Sequence, residues 1–131
     1  MSRLKSFEDL NVWKEATKLR RLIMEIIKKL PNYEQFELAS QMRRASRSVT
    51  HNIAEGYGRF HYQENIQFCR TSRGSAYELL DQIISAFDEG YISDDEQNET
   101  RKQLDTTIKL LNGYIGYLSK AKAESQTNTN N

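Results

Sequence analysis

The sequence predicts an all-α protein folded as an antiparallel, up-down-up-down four-helix bundle. Large apolar residues recur at alternating spacings of three and four over long segments, which is the period of one helix face. The breakers are scarce, with 6 glycines and 1 proline. No sustained alternation or hairpin dipeptide predicts a strand. Long helices joined by short loops pack as antiparallel neighbours, so we expect a bundle.

The first predicted helix runs from about residue 8 to residue 30, and Ser6 is a candidate cap. It ends at Pro31, because the residue before a proline avoids the helical region. The second helix is predicted to begin within residues 33–40 and to end near residues 56–58. The loop before it contains two aromatic residues, so we expect that loop to pack against the bundle.

The third predicted helix spans about residues 62–89, and Gly90 is a suitable C-terminal cap. A fourth helix follows Ser93, which forms a capping box with Glu96 three residues later. Residues 1–122 are therefore expected to form one bundle domain. The polar segment 123–131 lacks large apolar residues and is predicted to be a disordered tail.

Composition narrows the class of protein. The chain has 131 residues, of which 28% are charged, and no apolar run approaches the length of about 20 residues that crosses a membrane. We therefore expect a cytoplasmic protein with no membrane association. Cys69 is the only cysteine and follows an apolar helical pattern, which predicts a buried, inert thiol. Two histidines and one cysteine suggest no metal constellation, and we expect no cofactor.

Charge is unevenly distributed along the chain. Residues 1–60 carry a net charge of +5, whereas residues 61–131 carry −4, so the overall value of +1 hides an asymmetry. Such polarity suits an anionic partner on one side of the fold, or head-to-tail contact between subunits. Ordinary solvated helix faces explain it equally well.

A polar stripe follows the second helix. Gln41, Ser48, Asn52 and Glu55 lie seven, four and three residues apart, which places them on one side of the helix. Amides and a carboxylate beside an apolar seam predict a buried structural network, because unpartnered burial is costly. Removing one buried member should cost about 3–5 kcal/mol. The predicted network comprises Gln41, Asn52, Glu55, Arg59 and Glu78.

A basic cluster is predicted to point away from that stripe. Arg43, Arg44 and Arg47 lie at positions i, i+1 and i+4 of the second helix, where guanidinium groups suit bidentate contact with phosphates. Glutamates dilute the charge of the first helix, and the pI of about 7.8 is low for a dedicated nucleic-acid binder. The candidate nucleic-acid-binding residues are Arg43, Arg44, Arg47, Lys14, Lys18 and Arg21.

Catalysis has little support in the sequence. Glu55 and Glu78 form the best carboxylate pair for a metal, but Gly58 and Asp81 stand where the Glu-x-x-His pattern of di-iron bundles requires histidines. Ser48, Ser72 and Ser75 have no evident histidine and orienting acid. We therefore expect a non-enzymatic protein. An enzyme with a metal at Glu55 and Glu78 is the distant alternative.

Five segments, in order, carry a family resemblance: FEDLNVWKEA, LPNYEQFEL, QMRRASRSVTHNIAEGYGR, FCRTSRGSAYELLDQI and GYI. Over roughly residues 7–118 the chain resembles the bacterial four-helix bundle family of 23S rRNA intervening-sequence proteins, also labelled S23 ribosomal proteins. The residues that carry the resemblance are Leu10, Trp13, Pro31, Glu34, Gln41, Arg43, Arg44, Asn52, Ile53, Ala54, Glu55, Gly56, Gly74, Ser75 and Glu78.

The resemblance implies binding partners, which the helical periodicity of the sequence does not indicate. The accessory protein of diversity-generating retroelements is similar to this family, forms a ring-shaped homopentamer, and associates with reverse transcriptase and nucleic acid. By resemblance, a homo-oligomeric ring of five is expected, with RNA or DNA and a protein such as a reverse transcriptase as candidate partners. Two features depart from the pattern. Glu37 replaces a common glycine, and the net charge is less basic than a retroelement role calls for.

Two functional hypotheses follow. The leading one is an oligomeric nucleic-acid or ribonucleoprotein accessory module that uses the candidate basic residues. The alternative is a homo-oligomeric protein-interaction scaffold without nucleic-acid binding, whose basic half docks an acidic partner or a neighbouring subunit.

Overall fold

The computed structural model describes residues 5–129, with side chains for residues 5–127, as four α-helices and two short 3-10 turns. The 3-10 turns span Phe7–Asp9 and Asn32–Glu34, and no strand occurs in this part of the chain. The prediction of an all-α four-helix bundle is confirmed. The helices are α1 (Asn11–Lys29), α2 (Leu38–Gly58), α3 (Tyr62–Asp88) and α4 (Asp94–Thr129).

Each helix packs on its chain neighbours, and α1 also packs on α4, which closes a four-sided bundle. The hydrogen bonds between helices show their relative direction. Gln103, within α4, donates to the Glu15 backbone oxygen near the start of α1, whereas Lys29 at the end of α1 pairs with Glu96 near the start of α4. This reversed order is that of antiparallel neighbours. The α3–α4 pair shows the same reversal through its Gln63–Lys122 and Arg73–Asn112 hydrogen bonds.

The predicted apolar seams form the core. Along α1, side chains four and three residues apart are almost fully removed from solvent, and Leu19 and Ile23 have no exposed surface. Removing such a side chain from water stabilises the fold by about 1.5–3 kcal/mol. The seam residues of α1 and α4 that are buried are Val12, Ala16, Leu19, Ile23, Ile26, Leu30, Leu104, Leu111, Ile115 and Leu118.

The ends of α3 and α4 follow the predicted capping chemistry. The Ser93 backbone N–H donates to Glu96 Oε1 at 2.9 Å, and the Glu96 N–H donates to Ser93 Oγ at 3.1 Å. The neighbouring Lys29 ammonium and the Ser93 N–H lower the pKa of the Glu96 carboxyl. Gly90 has a φ of +80° and ends α3, with the Tyr91 N–H reaching back to the Ala86 oxygen at 2.9 Å.

The loop between α1 and α2 packs, as expected, through a buried carboxylate. Glu34 is only 8% exposed and accepts a 2.8 Å hydrogen bond from the Tyr91 hydroxyl of the α3–α4 connection. The Tyr33 and Tyr91 hydroxyls lie 3.1 Å apart. These contacts with Tyr33 and Glu34 raise the pKa of Tyr91. The two loops at this end of the bundle are therefore joined, although Phe36 remains exposed.

Helices α2 and α3 approach closely at Gly56. A Cβ atom there would lie 2.6 Å from Asn65 Oδ1 and 2.9 Å from Phe68 Cβ, both shorter than real contacts. Gly74 of α3 differs, because it is exposed and nothing lies within 4 Å of a Cβ added there.

The prediction that residues 123–131 form a disordered tail is wrong for the described part of that segment. Helix α4 continues to Thr129, so the segment 123–129 is helical, and residues 130 and 131 lie outside the described residues. Extending an anchored helix needs no new nucleation, which is why a polar segment without core contacts continues it. The side chains of residues 123–127 are exposed.

Two further expectations concern Cys69 and membrane-spanning segments. Cys69 is buried, and burial raises the pKa of its thiol to about 11, in agreement with the prediction of an inert thiol. Among the helices described, none has an apolar stretch long enough to cross a membrane.

The close approach at Gly56 predicts an asymmetry between two glycines of α2. Gly56→Ala should lower the free energy of unfolding by about 1–3 kcal/mol, because the added methyl overpacks the α2–α3 seam. Gly58→Ala is the matched control, because nothing lies within 4 Å of its added Cβ, and it should raise stability by up to about 1 kcal/mol. Urea denaturation measures both. Equal effects of the two substitutions would contradict the close packing.

Candidate nucleic-acid interface

The inward and outward faces of α2 differ completely in chemistry. Met42, Val49 and Ile53 have no exposed surface and fill the core side. On the outer side, residues spaced three and four apart line an open groove of about 540 Å³. We call this the arginine groove. Its lining residues are Ser40, Arg43, Arg44, Arg47, Ser48, His51 and Asn52.

Among the residues that the structure describes, the three guanidinium groups in this groove have no anionic partner. Arg43 is half-buried, whereas Arg44 and Arg47 are exposed. Within residues 5–129 no carboxylate oxygen lies within 4.0 Å of any of the three. By contrast, Arg59, directly after the end of α2, contacts Glu55 at 3.0 Å. The groove therefore holds three cationic donor groups on one rigid helix, each available to an anion.

Neutral polar groups line the wall of the arginine groove that adjoins α3. Asn52 Nδ2 donates to the Ser48 backbone oxygen at 2.8 Å and to Ser48 Oγ at 2.9 Å. Ser48 Oγ lies 2.7 Å from Ser75 Oγ of α3. The sequence placed Ser48 and Asn52 on a stripe separate from the arginines, but the structure brings them into the same groove. These hydrogen bonds fix the wall beside the guanidinium groups.

His51 connects the arginine groove to a neighbouring one. The second groove has a volume of about 700 Å³ and continues along α2 towards the α2–α3 turn. Charge in this second groove is balanced, since Glu55 and Arg59 pair with each other. It is lined by Phe7, His51, Ala54, Glu55, Gly58 and Arg59. The cationic character of the α2 surface is therefore confined to the arginine groove.

The predicted buried polar network is wrong for four of its five members. Gln41, Glu55, Arg59 and Glu78 are exposed, and Asn52 is half-buried. Glu55 does pair with Arg59, but that pair is on the surface. Glu78 accepts a long, 3.5 Å hydrogen bond from Gln82.

The error has a geometric cause. Gln41, Asn52 and Glu55 each stand one residue from a core position, and one residue turns a side chain by about 100° around a helix. The core positions themselves are taken by Met42, Ile53 and Gly56. The polar stripe thus runs along the edge of α2 instead of facing the bundle interior.

Buried polar contacts occur on α3 instead, and the sequence reasoning missed them. Asn65 is 7% exposed and donates to the Tyr114 hydroxyl at 3.1 Å. Ser72 has no exposed surface and donates to the Val49 backbone oxygen of α2 at 2.7 Å. A signal was present, because Asn65 and Ser72 share the core spacing of Cys69 and Ala76.

The basic residues of α1 do not join the groove. Lys14, Lys18 and Arg21 are exposed, and none of them lines the arginine groove. Lys18 pairs with Glu15 at 3.3 Å. Of the α1 cations, it is Arg20 that contacts α2, through a 3.2 Å hydrogen bond to Thr50 Oγ1. The structure therefore brings together only the three arginines of the predicted six-residue set.

The candidate carboxylate pair is not brought together either. Ser48 of α2 lies level with Ser75 of α3, and Glu55 and Glu78 diverge from that level in opposite directions. Glu55 follows Ser48 by seven residues and Glu78 follows Ser75 by three, and the two helices run in opposite directions. These ten residues place the two carboxylates roughly 15 Å apart along the bundle. Within residues 5–129 there is no group of three or more His, Cys, Asp or Glu side chains that could hold a metal.

One comparison with known proteins identifies a relationship. The model of the 23S rRNA-intervening sequence protein family matches residues 8–113. That segment includes all of α1, α2 and α3 and the first half of α4, and thus the whole arginine groove. No curated protein sequence matches the chain.

The relocated polar network predicts contrasting stabilities. Glu55→Gln should change the free energy of unfolding by less than about 1 kcal/mol, because its ion pair with Arg59 is exposed. Asn65→Ala should cost about 1–3 kcal/mol, because it leaves buried polar groups without their partner. Thermal and urea unfolding compare the two. A larger loss from Glu55→Gln than from Asn65→Ala would restore the buried network on α2.

Proposed function

The chain belongs to the 23S rRNA-intervening sequence protein family, and we propose that it is a non-enzymatic accessory module that binds the phosphate backbone of RNA or DNA through the arginine groove. The observation that carries the proposal is the presence of three unpaired guanidinium groups on one face of α2. We further propose that the protein works in the cytoplasm.

The chemistry of the arginine groove suits a phosphodiester chain. Arginine offers a planar fork of N–H donors that matches two phosphate oxygens at once. Arg43 and Arg47 are one helical turn apart, so they can contact successive positions along a strand. Ser40, Ser48 and Asn52 add neutral groups for the sugar and phosphate oxygens. Such contacts position a backbone without reading its sequence, so we expect binding that depends on salt more than on sequence.

Assembly would multiply this weak site. We propose that the protein forms a homo-oligomeric ring, and that it contains five subunits, as the resemblance to retroelement accessory proteins implies. Exposed aromatic side chains on α3 and α4, Tyr77 at 53% and Tyr117 at 64%, are suited to subunit contact. A ring repeats the arginine groove around its surface, which raises avidity for a long anionic chain. A reverse transcriptase is a candidate protein partner on the same resemblance.

The first test compares two triple variants that remove the same charge. Arg43→Gln/Arg44→Gln/Arg47→Gln should weaken binding of a structured RNA by more than about tenfold at low salt, because three phosphate contacts are lost. Lys14→Gln/Lys18→Gln/Arg21→Gln is the matched control, because those cations lie off the groove, and it should weaken binding by less than about threefold. Filter binding over a range of salt concentrations measures both.

The salt series sharpens this test. The control should keep the slope of log affinity against log salt concentration. The groove variant should lose about two to three units of that slope, because each of its three lost phosphate contacts removes about 0.7–0.9 units. Equal weakening of RNA binding by the two variants would show that the arginine groove is not the binding site. No retention of RNA by the unmodified protein at low ionic strength would refute nucleic-acid binding itself.

The scaffold alternative is favoured by the same exposed aromatics and makes a different prediction. If the basic side of the protein docks a neighbouring subunit, Arg43→Glu/Arg44→Glu/Arg47→Glu should reduce the oligomer mass, while Lys14→Glu/Lys18→Glu/Arg21→Glu should not. Light scattering coupled to gel filtration reports the mass against the 15.3 kDa protomer. An unchanged mass in both variants counts against a scaffold that docks through the arginine groove.

A further inference from the structure

A third groove, which contains two cations, lies between α3 and α4 and shares no residue with the arginine groove. It has a volume of about 300 Å³, which is at the lower end of the range for small-molecule sites. Its lining residues are Gln63, Ile66, Arg70, Ser119, Lys122, Ala123 and Gln126.

The groove is built by one face of each helix. Its α3 residues are spaced three and four apart, and so are Ser119, Lys122 and Gln126 on α4, which places each set on a single helical face. A hydrogen bond from the Lys122 ammonium to Gln63 Oε1 joins the two walls. Of the apolar lining residues, Ile66 is buried and Ala123 is exposed.

Within the described part of the chain, the two cations of this groove, Arg70 and Lys122, have no anionic partner. Lys122 is half-buried, and Gln63, its hydrogen-bond partner, is a neutral amide. Among residues 5–129, no carboxylate oxygen lies within 4.0 Å of Lys122 or Arg70. Two acidic residues, Glu64 and Glu124, adjoin groove residues in the sequence, but neither lines the groove. The Glu64 carboxylate lies 3.8 Å from Arg59. Elsewhere, ammonium groups pair with carboxylates at Lys18, Lys28, Lys29 and Lys109.

We propose that this groove binds a phosphate group, held by the charged donors of Arg70 and Lys122. Gln63, Ser119 and Gln126 supply further hydrogen-bonding groups. A free phosphate and the phosphate of a nucleotide share this chemistry, and the groove is large enough for either. The proposal does not depend on the arginine groove, because the two sites have no residue in common.

The test uses the full-length ¹⁵N-labelled protein, titrated at low ionic strength with inorganic phosphate and, separately, with adenosine monophosphate. Saturable amide shifts should appear at residues 63, 70, 119 and 122, separately from any shifts at the arginine groove. Arg70→Gln/Lys122→Gln should weaken phosphate binding by about tenfold or more, because two charge-assisted hydrogen bonds are lost. Arg101→Gln/Lys102→Gln is the matched control, since it removes two exposed cations of α4 outside the groove and should leave binding unchanged.

A second variant tests the same groove in case the protein with the double substitution does not fold. Ser119 is exposed, so Ser119→Glu should fold normally while placing a carboxylate in the groove, and it should abolish the shifts. Tighter binding of adenosine monophosphate than of phosphate would support the site and point to a nucleotide, whereas equal binding would support it and point to the phosphate alone. Shifts that do not saturate, or equal weakening by the control variant, would overturn the proposal. The Arg43→Gln/Arg44→Gln/Arg47→Gln variant should bind phosphate here normally, which separates this result from the proposed function.

Discussion

The close packing of α2 on α3 is the constraint on which the rest of the structure depends. Gly56 lets the two backbones approach so that Asn65 and Phe68 occupy the space of a side chain. Further along the seam, Ser72 donates to the Val49 backbone oxygen at 2.7 Å. Small residues at these points fix both the separation and the rotation of α2. A helix held in this way has no freedom to turn its outer face towards the core.

That fixed rotation explains the chemistry of the surface. Since Met42, Val49 and Ile53 face inward, residues one position away are carried to the edge, among them the half-buried Arg43. Arg44 and Arg47, which lie two positions from Met42 and Val49, are carried outside. The Ser48–Ser75 contact then places hydroxyl groups beside the guanidinium groups. The arginine groove is thus a direct result of how α2 seats on α3. Among the described residues, no carboxylate oxygen lies within 4.0 Å of its three guanidinium groups.

Much of the fold could be predicted from the sequence because its signals are local. The seams of α1 and α4 follow a strict spacing, Pro31 ends the first helical pattern, and the Ser93 capping box and Gly90 adopt the geometries that their chemistry requires. The length of α4 was missed, because propensity and composition describe an isolated segment, whereas a helix already anchored by the bundle extends at little cost.

The site was harder to predict, because it depends on rotation to within one residue. The α2 sequence mixes alanine, serine and glycine with larger side chains, so its apolar stripe is narrow and its edges are ambiguous. Gln41 and Glu55 were therefore assigned to the interior, when each lies about 100° away from it. Tertiary contact also decides which glycine matters: Gly56 meets α3, whereas Gly74 meets nothing. The basic residues of α1 failed to join the site for the same reason, since sequence alone does not show which faces of two helices adjoin.

The central claim is that α2 seats on α3 in one rotation and so gathers Arg43, Arg44 and Arg47 into a single anion-binding surface. NMR detection of arginine side-chain N–H groups during titration with a short RNA tests it most directly. The account predicts that the signals of these three arginines shift together and saturate together, while those of Arg21 and Arg101 stay in place. Shifts centred on Arg21, or independent behaviour of the three α2 arginines, would contradict it.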